Sequence, residues 1–348
     1  MIAMRRLVKR AALLTAGAGL AGVAYTQVYD RLRAQGLTKK YVAFRAQQQA
    51  AHDRVDADFN HQDRVVNGLN WHYVDEGARD GEVILFLHGL PESWYSWRHV
   101  LPLVDHDYRL IAVDMKGYGR SDHEDRNYDW HTVARQTLDF MDDLGIKKFY
   151  VVSHDWGTVI GSILVGNYPE RILGYVRMEV DLASPKSLRD WITFYRLKPQ
   201  WLFCRSYWFG RHKMQDPGKL IDKVYPPRMT TRLRPEDRDY LVYEFSRPGV
   251  AEAVAHYYLA RNWDLPAATD RIAEDSFPFP ILQLQATEDD SQPQWLFHDA
   301  ASRFPNVKLE WVTGASHFDN LDQPAQVAEA INRFVHETSA PQRVASPA

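Results

Sequence analysis

The segment VVSHDWGTVIG, Val151 to Gly161, places a carboxylate, Asp155, where an apolar run ends and a helical pattern begins. Ser153 and Gly157 stand two positions before and two after it. A sharp strand-to-helix turn that exposes a nucleophile leaves room only for small residues there. A carboxylate is a modest nucleophile toward carbonyls, but it can displace a leaving group at saturated carbon and form an alkyl-enzyme ester. Asp155 therefore points to alkyl transfer, and the ester it forms must then be hydrolysed. That step needs a base, an acid that orients the base, and donors for an oxyanion. The partners follow in the order this arrangement demands: nucleophile, acid, histidine. Glu288, Asp289 and Asp290 in QATEDDSQP compete for the acid, and spacing to Pro293 favours Asp289. His317 in GASHFDNLDQP lies just past the last apolar run, where a loop can drop it toward the turn. The segment HGLPESWYSWR, His88 to Arg98, brings a second loop to the same place. The backbone amides of Leu90 and Trp156 form the expected oxyanion hole, each worth a few kcal/mol. His88 is expected to hold that loop. DMKGYGRSD, Asp114 to Asp122, reads as a structural turn, since its glycine spacing is wrong for phosphate.

These residues need a scaffold. Short continuous apolar runs begin at Val83, Tyr108, Lys148, Ile172, Pro280 and Val307, as expected of strands buried on both faces of a mostly parallel sheet. Helical patterns lie between them, at Trp130 to Leu144, Gly157 to Tyr168, Pro293 to Arg303 and Pro324 to His336. The fold class is α/β, a mostly parallel central sheet flanked by helices. RVVNGLNWHYVDEG, Arg64 to Gly77, reads as a hairpin turning at Asn67-Gly68. The alternation stops after residue 182 and resumes at 269, so residues 183–268 are expected to be an inserted helical cap and residues 64–182 with 269–336 the core. Residues 26–63 read as a helical or linker segment and 337–348 as a disordered tail. Residues 1–25 carry Arg5, Arg6, Lys9 and Arg10 before an Ala- and Gly-rich apolar run, the shape of an export signal or membrane anchor. Export or membrane association is the expectation, with a packed N-terminal helix on a cytoplasmic protein as the alternative. A formal charge of −3 argues against nucleic acid as a partner, leaving a small molecule as the ligand. The aromatic stretch Asp190 to Gly210 suits an apolar or aromatic substrate. Cys204 is the only cysteine, so no intrachain disulfide and no cysteine-rich metal site can form. The chemistry calls for no cofactor and no metal.

HGLPESW, SHDWGT and SHFDN occur in that order, and on them the chain from Arg64 to Val335 resembles an α/β-hydrolase of the epoxide hydrolase type. The resemblance implies an α/β-hydrolase fold, Asp155 as nucleophile, and a pair of cap tyrosines that protonate the departing epoxide oxygen. Tyr195 in WITFYRL fits the first by position, and Tyr258 in AHYYLARNW fits the second by likeness to the family's Asn-aromatic-Tyr-Arg pattern. His256 and Leu259 depart from that pattern, leaving Tyr257 and Tyr207 as alternatives. Haloalkane dehalogenases, a related group, hold a halide with a tryptophan after the nucleophile and often an asparagine in the first loop. Trp156 fits that group and Leu90 does not. Fluoroacetate dehalogenases carry arginine after the nucleophile, which Trp156 replaces. Epoxide opening is the leading expectation and halide release the alternative. A non-catalytic binding protein on the same fold would be expected to have a broken constellation.

Overall fold

Asn67 and Gly68 both adopt left-handed φ, 50° and 83°, the backbone that a two-residue turn between right-twisted strands requires. They join β1 (His61–Val66) to β2 (Leu69–Gly77) in an antiparallel pair. A computed structural model describes residues 32–124, 127–180, 187–199, 212–260, 277–297 and 307–344 of the chain. The chain divides into two compact units, Met1–Gln47 and Gln48–Ala348. The described part of the first, 32–47, belongs to helix α1 (32–56). Among the described residues no helix is long and apolar enough to cross a membrane. The N-terminal run expected to act in export or anchoring, 1–25, lies outside them.

The second unit is built on an eight-stranded sheet of order β1-β2-β4-β3-β5-β6-β7-β8, with β3 (Val83–Leu87), β4 (Arg109–Val113), β5 (Phe149–His154), β6 (Ile172–Met178), β7 (Ile281–Ala286) and β8 (Val307–Val312). β2 runs antiparallel to both of its neighbours, β1 and β4, and the six strands β3 to β8 are parallel to one another. Every side chain of β3, β5, β6 and β7 is buried, as covering on both faces demands. α2 (Trp130–Asp143) and α3 (Trp156–Asn167) pack together on one face. All of α3 except Asn167 is buried, because it is apolar around its whole circumference. Parallel strands end on one edge, so the loops after β3, β5, β6, β7 and β8 converge there. In open α/β sheets that edge is where ligands bind.

Between β6 and β7 the described residues form α4 (Leu188–Leu197), α5 (Pro217–Val224), α6 (Pro235–Phe245) and α7 (Val250–Leu259), with no strand among them. α6 is tied to the first loop: Tyr240 stacks on Tyr95 at 3.6 Å, and the Tyr95 hydroxyl donates to Asp237 at 2.8 Å. α7 is tied to the turn after β4, where the Tyr257 hydroxyl donates to the Lys116 carbonyl at 2.7 Å.

Two expectations change at the C-terminal end. Only a 3₁₀ turn, Gln294–Phe297, occupies the described part of the helix expected from Pro293 to Arg303, and the rest lies outside the described residues. After α8 (Asp319–Asp322), helix α9 (Pro324–Val344) runs past His336 into the segment expected to be a disordered tail. Ser339 anchors that extension, with its Oγ 3.0 Å from the Tyr108 hydroxyl, 2.8 Å from the Tyr150 hydroxyl and donating to Glu82 at 2.9 Å. Partners distant in sequence thus hold a segment whose own composition is too polar to hold itself.

Candidate active site

Asp155 follows the last residue of β5 with φ 48° and ψ −115°, a region L-residues seldom adopt. Such a backbone costs roughly 1–3 kcal/mol and persists only where its surroundings enforce it. Gly157 supplies part of that enforcement: a Cβ there would lie 2.2 Å from the Leu87 carbonyl oxygen, so α3 can start against β3 only with glycine. The Ser153 Oγ donates to the Tyr175 hydroxyl at 3.0 Å and lies 3.1 Å from the Thr158 Oγ1, which ties the strand to the first turn of α3. Gly89 allows the first loop to close in, since a Cβ there would meet the Asp155 Cβ at 2.6 Å.

The sequence-predicted residues meet at this point. The Leu90 amide donates to Asp155 Oδ1 at 3.0 Å. His317 Nε2 stands 3.5 Å from Asp155 Oδ2, and its Nδ1 lies 3.1 Å from Asp289 Oδ2. The Asp155 side chain is 26% exposed and that of Asp289 1%, so of the two only Asp155 has an open face toward a ligand. Burial disfavours the imidazolium of His317, but the charges and hydrogen bonds of Asp289 and Asp155 outweigh it and raise its pKa to about 10. Burial likewise opposes ionisation of both aspartates. His317, helped at Asp289 by Glu179 and Ser291 and at Asp155 by His154 and the Leu90 amide, holds each below the usual carboxylate range. Among the competing acids, Asp289 reaches His317, and it is fixed by the Ser291 amide and hydroxyl, each donating to Oδ1 at 2.7 Å.

Trp156 opens α3, with its ring edge-on to Tyr258 at 4.9 Å. Tyr258 is buried on α7, while Tyr195 is half-buried on α4 and stacks on Trp191 at 5.7 Å. The hydroxyl hydrogen of the alternative Tyr257 is committed to Lys116, and Tyr207 lies outside the described residues.

The sequence reading assigned no role to several neighbours. His154 Nδ1 lies 3.0 Å from Glu92 Oε2, and its Nε2 lies 2.7 Å from the His317 carbonyl oxygen. Both partners are acceptors, so both ring nitrogens carry protons. Burial opposes that charge, but Glu92 prevails and lifts His154 to about 9. Glu92 also accepts from the Gly89 amide, so this ion pair joins the first loop, the elbow and the histidine loop. Both residues sit inside quoted motifs, and their adjacency to Gly89 and Asp155 was the available signal. Burial, with smaller contributions from Tyr257, Tyr258 and the Asp155 charge, raises the pKa of Tyr118; its hydroxyl has no hydrogen-bond partner among the described residues. Glu179, directly after β6, is also buried beside Asp289.

This fold and site define an α/β-hydrolase, and the chain belongs to that family as an epoxide hydrolase-like enzyme. Residues 82–207 match the family described as the alpha/beta hydrolase fold. Mouse "Epoxide hydrolase 4" is 31% identical over 289 residues, which span 78% of this chain and 77% of that relative. A loop variant of a haloalkane dehalogenase from Bradyrhizobium elkanii has the same fold at TM-score 0.70 and 20% identity, over 83% of this chain and 100% of that one. Epoxide Hydrolase A from Mycobacterium thermoresistibile has it at TM-score 0.66 and 21% identity, over 80% of this chain and 98% of that one.

Proposed function

We propose that the enzyme opens an apolar or aromatic epoxide to a vicinal diol through a covalent ester on Asp155. The observation that carries this reading is the line Asp289–His317–Asp155, with the Leu90 amide on the aspartate at the elbow. An Asp155 oxygen attacks one ring carbon, the ring C–O bond breaks, and the epoxide oxygen takes a proton from a cap tyrosine, Tyr258 or Tyr195. The ester cancels the charge on Asp155, one of the two carboxylates that raise the pKa of His317. Its imidazolium is thereby destabilised, releases the Nε2 proton to solvent and becomes the base for the second half-reaction. Water gives a proton to His317 and adds to the ester carbon, and the Leu90 and Trp156 amides hold the oxyanion. Collapse breaks the acyl–oxygen bond and the departing alkoxide takes the proton from His317, so the diol leaves with an oxygen that began on Asp155; the tyrosinate regains its proton from solvent, and the new Asp155 carboxyl returns one to His317.

Epoxide is preferred over halide because Leu90 has no side-chain donor for an anion and because a curated relative at 31% identity is named an epoxide hydrolase. Halide release is the second reading, favoured by the tryptophan that follows Asp155.

A single turnover in 18O water is expected to yield diol without label; immediate incorporation of solvent oxygen rejects the covalent path. Styrene oxide and a haloalkane, assayed side by side, decide the leaving group, and halide release without diol reverses the preference. His317→Gln is expected to accumulate the ester, visible by intact mass, and unchanged steady turnover removes His317 from the base role.

A further inference from the structure

α4 keeps its apolar side chains in solvent. Leu188 and Ile192 are 78% and 61% exposed and Trp191 is 37% exposed. Among the described residues no other stretch of this length gathers three large exposed hydrophobics. The three follow an i, i+3, i+4 spacing, and half-buried Tyr195 extends the row at i+7, so all four stand on one side of the helix. Thr193 and Leu197, on the opposite side by the same spacing, are half-buried. The helix thus turns its apolar row away from the protein.

Charge is distributed to match. Asp190 is the only carboxylate between Ser187 and Pro199. It is used at the helix start, where the Ser187 amide donates to its carboxylate at 2.9 Å and its own amide donates to the Ser187 Oγ at 3.1 Å. Helical spacing sets it across the helix from the row. Arg189 and Arg196, both exposed and about two turns apart, flank the row beside Ile192. From Gln200 to Met214 the sequence adds Arg205, Arg211 and Lys213 and no carboxylate. The whole chain carries a formal charge of −3, so this positive charge is a local feature.

A contiguous apolar row of this kind marks a contact surface. A second copy of the chain fits it poorly, because two-fold pairing of α4 with itself would set the arginines of one copy against those of the other. A lipid surface fits it well. Aliphatic side chains enter the acyl boundary, tryptophan and tyrosine rings settle at headgroup level, and arginines meet anionic phosphates.

We propose that α4 docks on an anionic phospholipid surface, placing Leu188, Trp191 and Ile192 below the headgroups and Arg189 and Arg196 against lipid phosphates. Docking holds the cap against the phase in which apolar molecules concentrate, with Tyr195 on the same side of the helix. The inference goes beyond the proposed reaction and does not depend on which leaving group the enzyme takes.

The test uses the full chain. Because residues 1–25 are basic and apolar too, the readout is local: amide hydrogen exchange across 188–197, without lipid, with phosphatidylcholine vesicles, and with vesicles of phosphatidylcholine and phosphatidylglycerol. Exchange should slow about fivefold or more on the phosphatidylglycerol vesicles. Unchanged exchange in α4 overturns the proposal even if the chain sediments with the vesicles, and equal slowing on phosphatidylcholine alone overturns the anionic assignment. Leu188→Gln/Ile192→Gln and, separately, Arg189→Gln/Arg196→Gln should each abolish the slowing, and the arginine pair should matter less as salt rises. Slowing that survives both double variants counts against the face. Sedimentation equilibrium without lipid supplies the remaining outcome: a wild-type dimer that Leu188→Gln/Ile192→Gln splits, with no lipid effect on exchange, assigns the row to a second copy and rejects the membrane.

Discussion

The elbow and α4 differ in how deeply they are buried. At the elbow every functional group is held by partners from other strands: Asp155 by Leu90 and His317, His317 by Asp289, and the loop carrying His317 by His154 and Glu92. α4 carries local devices, a capping box between Ser187 and Asp190 and ring contacts among Trp191, Phe194 and Tyr195, and it has no fully buried residue. Leu188 and Ile192 on α4 are 78% and 61% exposed. Groups that must keep hydrogen-bond distances to one another, as Asp289, His317 and Asp155 do, need a support that cannot yield. A surface that adapts to a substrate can be looser, and in the mechanism proposed above the elbow carries the chemistry while α4 offers only Tyr195 as a candidate proton donor.

Four substitutions sharpen or break this contrast. Asp155→Ala should lower kcat about 10⁴-fold or more while leaving the circular dichroism spectrum unchanged. Substantial residual turnover would move the nucleophile elsewhere.

Glu92→Gln cuts the buried pair with His154 and should cost about 3 kcal/mol in urea unfolding. The pH sign follows from the two shifts. His154, raised to about 9, adds stability that is complete below its unfolded value of 6.5 and is lost as pH rises through 9. Glu92, depressed by His154 in spite of burial, adds stability that is complete above 4.5 and is lost in acid. The wild type should therefore lose stability between pH 6.5 and 9, and Glu92→Gln should not. Parallel curves would mean that the pair does not hold the site together.

Tyr258→Phe should reduce kcat on an epoxide by about 10- to 100-fold, less on one with a better leaving group. An unchanged rate would shift the donor role to Tyr195 or Tyr118. Ile192→Gln on α4 should change unfolding free energy by less than about 0.5 kcal/mol, as an exposed position outside any network would. A loss of several times that would show that α4 is packed like the elbow.

Legibility in the sequence followed the same division. Asp155, Asp289 and His317 stood out because each follows an apolar run and because Gly157 and Ser153 betray a turn too tight for larger residues. Glu179 and Glu92 did not stand out, since a glutamate beside a strand ordinarily reads as surface charge. Only sheet register makes Glu179 a neighbour of Asp289, and only loop closure over Gly89 makes Glu92 the partner of His154. The C-terminal helix was cut short for a similar reason, because Ser339 finds its partners on β4's flank, β5 and the start of β3.

By itself the sequence determined the layered fold, the chain order Asp155, Asp289, His317, and the carboxylate at the turn after the apolar run. Those depend on residue type, apolar runs and spacing, which act locally along the chain. Tertiary structure decided that Asp289, which spacing only favoured over Glu288 and Asp290, reaches His317, that Tyr257 is committed to a backbone carbonyl, and that a second carboxyl lies behind the first. Burial and proximity across strands set those outcomes, because charge and hydrogen bonding act through space and only the folded chain fixes the distances.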